Sequence, residues 1–177
     1  LIHPVATGGG LTVETFHPER RRKKSPMTST DNYTLRCGDC GTRNRIPAAK
    51  IGVPARCGRC GGQIDTRVLG NGRPKLVNDA NFEAEVIHSP LPVLAFFWAP
   101  WCPTCVKTAP IIERLAGEAR GRLRIAKINV DKAQQVSDRY DIRAVPYIYV
   151  FDNGRPVANM PGGMDEAQLK YKLARFL

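Results

Sequence analysis

The chain has 177 residues, 42% hydrophobic and 24% charged, the balance of a soluble globular protein with one ordinary domain and a small one beside it. Its formal net charge of +11 is unevenly spread. Residues 1–75 carry fourteen Lys or Arg against five Asp or Glu (+9), and residues 76–177 carry thirteen against eleven (+2), so a nucleic-acid reading has to rest on the N-terminal part alone. No apolar run approaches the roughly 18 residues of a membrane span, and in the opening segment the charges follow the mildly apolar part, the reverse of a secretory signal.

Residues 1–32 are polar, contain the run "RRRKK" at Arg20 to Lys24 and show no hydrophobic period, which predicts a disordered basic tail. Met27 reads as the natural start, and without the residues before it the charge falls from +11 to +8. The basic run reads first as a solvated tail and only second as a nucleic-acid or membrane contact.

Residues 33–67 are rich in Gly, Arg and Cys and poor in large apolar groups, so they cannot close a core unaided. "CGDC" (Cys37, Cys40) and "CGRC" (Cys57, Cys60) lie sixteen residues apart, the spacing of a two-knuckle zinc ribbon. Two knuckles supply four thiolates to one Zn²⁺, a closed structural site, and nearby arginines offset its negative charge. Two disulfides or a second redox centre are the alternatives. Residues 68–77, with the Asn71-Gly72 turn signal and a proline, read as a linker.

From residue 78 to 177 the periods alternate. "NDANFEAEVIHS" predicts a short helix capped by Asn78 or Asp79, and "PVLAFFW" a strand buried on both faces. "CPTCVKTAPIIERLAGEA" predicts a helix kinked at Pro110, "LRIAKINVD" a strand and "AQQVSDRYD" a helix. "PYIYVFDNGRPVANMP" predicts a hairpin turning at Asn153-Gly154, and "DEAQLKYKLARFL" an amphipathic helix with Leu169, Leu173 and Phe176 on one side. The order implies an α/β domain, a central mixed sheet with helices on both faces.

Cys102 and Cys105 stand where a strand gives way to a helix, so a thiolate there lies at a positive helix terminus. Redox exchange fits this position, with a structural disulfide or an intermolecular metal site as alternatives. Cys102, nearer the helix start, reads as the nucleophile and Cys105 as the thiol that resolves the mixed disulfide. His3, His17 and His88 converge on no nucleophile.

"FWAPWCPTC", "AKINVD", "YDIRAVPYIYVFDNG" and "PGGMDEAQL", taken together and in order, resemble thioredoxin over residues 76–177. With the four-cysteine ribbon, the chain from residue 33 resembles the zinc-ribbon class of bacterial thioredoxins called thioredoxin-2. The resemblance implies a thioredoxin fold, an exposed attacking Cys102, a buried resolving Cys105 and a flanking Trp101. It also implies a cis Val145–Pro146 bond, with the Val145 backbone pairing substrate, and Gly162 keeping the groove open. Trp98 reads as core packing.

Two departures from that family stand out. Pro103-Thr104 replaces the usual Gly-Pro between the cysteines; Pro103 suits the first helical turn, and Thr104 is expected to offer an amide and a hydroxyl to Cys102, making the couple more oxidising. Phe96 replaces the family's buried aspartate, whose lysine partner is retained as Lys127. Lys127 is then expected to snorkel, find another acceptor or lower its pKa, and turnover is expected to be slower.

The resulting expectation is a cytoplasmic bacterial protein-disulfide reductase, acting as a monomer on protein disulfides, recharged by an NADPH-dependent thioredoxin reductase and using no organic cofactor. The rivals are a more oxidising disulfide oxidase or isomerase, and a zinc-dependent protein- or nucleic-acid-binding module on a scaffold thioredoxin fold.

Overall fold

The computed structural model describes residues 32–69 and 72–177. The basic tail expected ahead of them lies outside the described residues, except Asn32, which opens the first strand.

The N-terminal part consists of two small antiparallel pairs. Strand β1 (Asn32–Arg36) pairs with β2 (Arg43–Pro47), and β3 (Ala55–Arg56) with β4 (Gln63–Ile64). The tip of each pair is closed by the same knuckle. The Cys37 amide donates to Thr42 O and Gly41 N to Cys37 O; in the second copy Cys57 N donates to Gly62 O and Gly61 N to Cys57 O. Gly41 and Gly61 have φ of 68° and 75°, a region that L side chains seldom enter, which fixes glycine after each pair.

This unit borrows its core. Leu35, Ile46, Ile64 and Leu69 pack with Cys37, Cys57 and Leu91, the last contributed by the following domain. The Arg36 amide donates to Pro90 O at 2.9 Å, and its guanidinium grips the Asp152 carboxylate at 3.1 and 3.3 Å. Too little apolar surface for self-sufficiency, already visible in the composition, is met by docking.

The segment read as a linker is partly structured: Thr66–Leu69 forms a 3-10 turn and Lys75–Val77 forms strand β5. Three residues are too few for the alternation that marks a strand, and sheet pairing decides the matter. β5 lies at the edge of a five-stranded sheet in the order β5-β7-β6-β8-β9, with β6 (Val93–Trp98), β7 (Arg124–Asn129), β8 (Tyr147–Asp152) and β9 (Arg155–Pro161). β5, β7 and β6 are parallel; β8 runs antiparallel to β6, and β9 to β8. Asn153 and Gly154, at φ 54° and 72°, make the β8–β9 turn.

β6 explains its unbroken apolar run. Leu94 and Phe96 join one cluster with Ile112, Leu115 and Leu169, on helices α1 (Pro103–Glu118) and α3 (Glu166–Lys172). Val93, Ala95 and Phe97 face the other way, with Phe82, Val86 and Val136 of helix α2 (Gln134–Arg139). Helix α1 runs through Pro110. The helix expected over residues 78–89 is instead one wide turn, Glu83–Ile87, with the His88 amide donating back to Glu83 O. Of the two residues expected to cap it, Asn78 accepts from Ala80 N at 3.0 Å, whereas Asp79 caps α2: its carboxylate accepts from Val136 N at 2.9 Å and Gln135 N at 3.3 Å, where Ala133 has no capping side chain. Helix α3 carries a full capping box of Asp165 and Gln168.

Candidate active site and candidate metal centre

The strand-to-helix junction places the third cysteine pair. Cys102 is the N-cap of α1, with extended backbone, and Pro103 takes the first helical position, where no amide hydrogen is needed. Cys102 and Cys105 form a disulfide with their Cα atoms 5.2 Å apart. The Cys105 amide donates to Cys102 Sγ at 3.1 Å. An amide and a helix terminus thus converge on the sulfur that becomes a thiolate on reduction.

Both cysteines are buried in this oxidised form, and the difference is small: Cys102 keeps 5% of its surface and Cys105 1%. They pack with Ala99, Trp98, Val130 and Val145. Trp101 stands beside them 66% exposed, its indole N–H donating to the Asp131 carboxylate at 3.1 and 3.2 Å. Asp131 was part of the "AKINVD" motif but carried no assigned role, because a lone carboxylate after a strand says nothing of what crosses over to it.

The loop ahead of β8 closes the other side. Cys102 Sγ lies 3.5 Å from Val145 O, and the Val145–Pro146 peptide bond is cis. Gly162 donates its amide to Pro146 O at 2.9 Å, and a Cβ placed on it would come within 2.7 Å of Pro146 Cβ. Glycine is required here by the close approach of two backbones. Thr108, buried on α1, points its hydroxyl at Thr104 O (2.9 Å) and Gly162 O (3.2 Å), tying the helix to this loop.

Thr104 does not take the place foreseen for it. The amide on Cys102 Sγ comes from Cys105, while Thr104 is exposed, gives its carbonyl to Thr108 and turns its Cγ2 toward Gly163. Helix geometry is the reason, since the N-cap side chain reaches the amide of the third helical residue. Lys127 finds its partner on helix α1. It faces Phe96 in the β6–β7 register, yet its Nζ binds Glu113 Oε1 at 3.1 Å and lies 5.4 Å from the centre of the Trp98 ring. Of the three fates open to it, the structure realises another acceptor.

The other four cysteines form a separate constellation. The sulfurs of Cys37, Cys40, Cys57 and Cys60 all lie within 4.8 Å of one another, with Cys37–Cys60 at 3.5 Å and Cys40–Cys57 at 3.6 Å. A tetrahedral site with metal–sulfur bonds of about 2.3 Å sets its sulfurs about 3.8 Å apart, so this donor set can hold a metal ion. The backbone amides of Cys60 and then Arg59 bring the Cys57 thiol down to about 6. The Gly62 amide pulls Cys60 down, but the surrounding sulfurs of Cys40 and Cys37 outweigh it and push that thiol up to about 12. Four sulfurs so close cannot all ionise without a cation among them. Asn44, unmarked in the sequence, joins the knuckles: Gly58 N donates to its Oδ1 at 2.9 Å, and its Nδ2 lies 3.6 Å from Cys57 Sγ.

The two centres occupy opposite ends of the sheet. Cys102 follows the C-terminal end of β6, whereas the N-terminal unit meets Pro90, Leu91 and Asp152 at the other end. Six strand residues put about 17–20 Å between those ends.

A thioredoxin family model matches residues 73–175. Among similar proteins, thioredoxin of Haemophilus influenzae is 40% identical over 93 residues, 52% of this chain and 87% of its own length. Thioredoxin 1 of a Nostoc species is 36% identical over 101 residues, 57% of this chain and 94% of its own. A chloroplastic M-type thioredoxin of Pisum sativum is 37% identical over 103 residues, 58% of this chain and 60% of its own.

Proposed function

The chain belongs to the thioredoxin family and is a thiol-disulfide oxidoreductase, and on that premise we propose that it works in the reducing direction through Cys102 and Cys105. The direction rests on the likeness to thioredoxins; the observation that carries the assignment to this pair is the seat of Cys102, N-cap of α1 with its Sγ accepting the Cys105 amide, beside the Val145 carbonyl at the rim of the site.

In the reduced protein the Cys102 thiolate attacks one sulfur of a substrate disulfide. A Cys102–substrate bond forms, and the substrate's other sulfur leaves as a thiolate. Cys105 then gives up its proton and attacks Cys102 Sγ, forming the intramolecular disulfide and releasing the second substrate thiolate. Two electrons have passed to the substrate. A reductase with a dithiol of its own returns them, and an NADPH-dependent thioredoxin reductase fits the family. An extended substrate segment lies along Val145 and Pro146, with Trp101 at its flank.

The knuckle cysteines Cys37, Cys40, Cys57 and Cys60 hold structural Zn²⁺ in this reading, which places the chain in the zinc-ribbon, thioredoxin-2 class of bacterial thioredoxins. Four protein thiolates leave the metal no open position, and the separation of the two centres supports a folding role. No organic cofactor enters the reaction. Reduced knuckles suit a reducing compartment, so we assign the chain to the bacterial cytoplasm, acting as a monomer.

Thr104 gave the oxidase reading its strength, but the amide that meets Cys102 Sγ is that of Cys105. The test is the Cys102/Cys105 potential, by thiol trapping in defined redox buffers with the knuckles metallated. A value near about −270 mV, that of thioredoxin itself, fits reduction; one above roughly −200 mV reverses the direction of electron flow.

A further inference from the structure

Where the ribbon docks, a cleft of about 1110 Å³ opens between β1, the loop before β6, the end of α1 and the C-terminal turn. Five arginines line it, Arg36, Arg43, Arg120, Arg122 and Arg175, and the carboxylate of Asp152 is the one acidic side chain on its wall. Arg36 holds that carboxylate. Among the described residues, none of the other four has a carboxylate within ion-pair distance; Arg67, Arg114, Arg124, Arg139 and Arg143 elsewhere each have one, while Arg45, Arg56, Arg59 and Arg155 also lack one but do not share a concavity with these four.

Four uncompensated guanidiniums around one concavity repel each other and raise the local potential by an amount that an anion relieves. Their planar forks suit tetrahedral oxyanions in bidentate contact. Two are already oriented by neutral groups: Arg120 Nε donates to Leu69 O at 3.0 Å, and Arg122 to Glu118 O at 3.1 Å. Tyr33 and Phe176 add aromatic walls.

We propose that this cleft binds a ligand bearing a chain of phosphate groups. It lies at the end of the sheet away from Cys102, so ligand and disulfide substrate bind together, and the ligand bridges ribbon and thioredoxin domain. An inorganic polyphosphate and a nucleoside polyphosphate share this chemistry, and the aromatic walls distinguish the two.

The experiment is isothermal titration of the full metallated chain with sodium tripolyphosphate, repeated with ATP, adenosine and a poly-glutamate peptide. Saturable tripolyphosphate binding that weakens with salt is the expected result. The double variant Arg122→Glu, Arg175→Glu should weaken it at least about tenfold, and Arg43→Glu alone should move it the same way. Disulfide reduction by these variants should stay unchanged, which checks their fold. ATP binding more tightly than tripolyphosphate, with adenosine alone silent, assigns the nucleoside source; equal affinities assign the phosphate chain. No binding, binding indifferent to all three substitutions, or poly-glutamate binding as tightly as tripolyphosphate overturns the proposal.

Discussion

Phe96 stands opposite Lys127 in the register of two adjacent parallel strands, and the lysine bonds Glu113 on helix α1 instead. Phe96 is fully buried with Leu94, Ile112 and Ile148. The interior thus has packing where the family has a carboxylate, and no acid at that position receives the Cys105 proton. Phe96→Asp should speed release of product from the mixed disulfide and cost about 3–5 kcal/mol in stability, from the lost ring and a newly buried acid. Stopped-flow single turnover and denaturant unfolding read the two effects separately, and an unchanged release rate would count against a proton-transfer limit at this position.

Glu113→Gln is a gentler test of the same pair. The glutamate side chain is 55% exposed and the lysine 16%, so the exchange should cost no more than about 1 kcal/mol. A far larger loss in urea unfolding would mean that the lysine depends on this one acceptor.

Gly162→Ala should damage both stability and activity. The added Cβ meets the Pro146 ring and backbone within 2.7–3.1 Å, with backbone on both sides, so the Val145–Pro146 loop has to shift. A loss of about 1–3 kcal/mol is expected, with slower disulfide reduction under substrate-limiting conditions. The control, Gly38→Ala, has open space and should leave the rate unchanged.

Much of this arrangement was legible in the chain. The β6 run, the hairpin turn at Asn153-Gly154 and the amphipathic helix that opens at Asp165 are local signals, and local signals survive folding. The cysteine spacings likewise foretold both clusters. What escaped was set by partners distant in sequence. β5 is a strand because β7 pairs with it, and Asp79 turned from its own helix to cap α2 across 57 residues. Asp131, Thr108 and Asn44 have roles that only the folded approach of Trp101, Gly162 and the second knuckle creates.

Acid should loosen the anchorage of the edge strand. Burial alone would raise the Glu85 carboxyl, but its bond and charge interaction with Arg124, helped by Lys75, hold it below the ordinary glutamate value. A carboxyl lowered in the folded state gives stability that is complete above its unfolded pKa of about 4.3 and is lost as pH falls through the folded value. Unfolding free energy should therefore decline below about pH 4.5, and Glu85→Gln, costing about 1–2 kcal/mol at neutral pH, should flatten that decline. An equally steep decline in the variant would assign the acid sensitivity to other groups.

Removing metal with a strong chelator should release one Zn²⁺ per chain and unfold residues 32–69, whose core is small and partly borrowed from Leu91. The two clusters on either face of the five-stranded sheet do not include the knuckles, so disulfide exchange should persist within about threefold. Hydrogen exchange, read segment by segment, separates this outcome from global unfolding.

In this scheme Cys102 attacks and Cys105 resolves. Incubating reduced Cys105→Ser and Cys102→Ser with a disulfide-bonded protein substrate, then locating any mixed disulfide by mass spectrometry, tests it directly. A stable substrate adduct is expected on Cys102 in Cys105→Ser and none in Cys102→Ser. An adduct forming as readily on Cys105 when Cys102 is absent would contradict it.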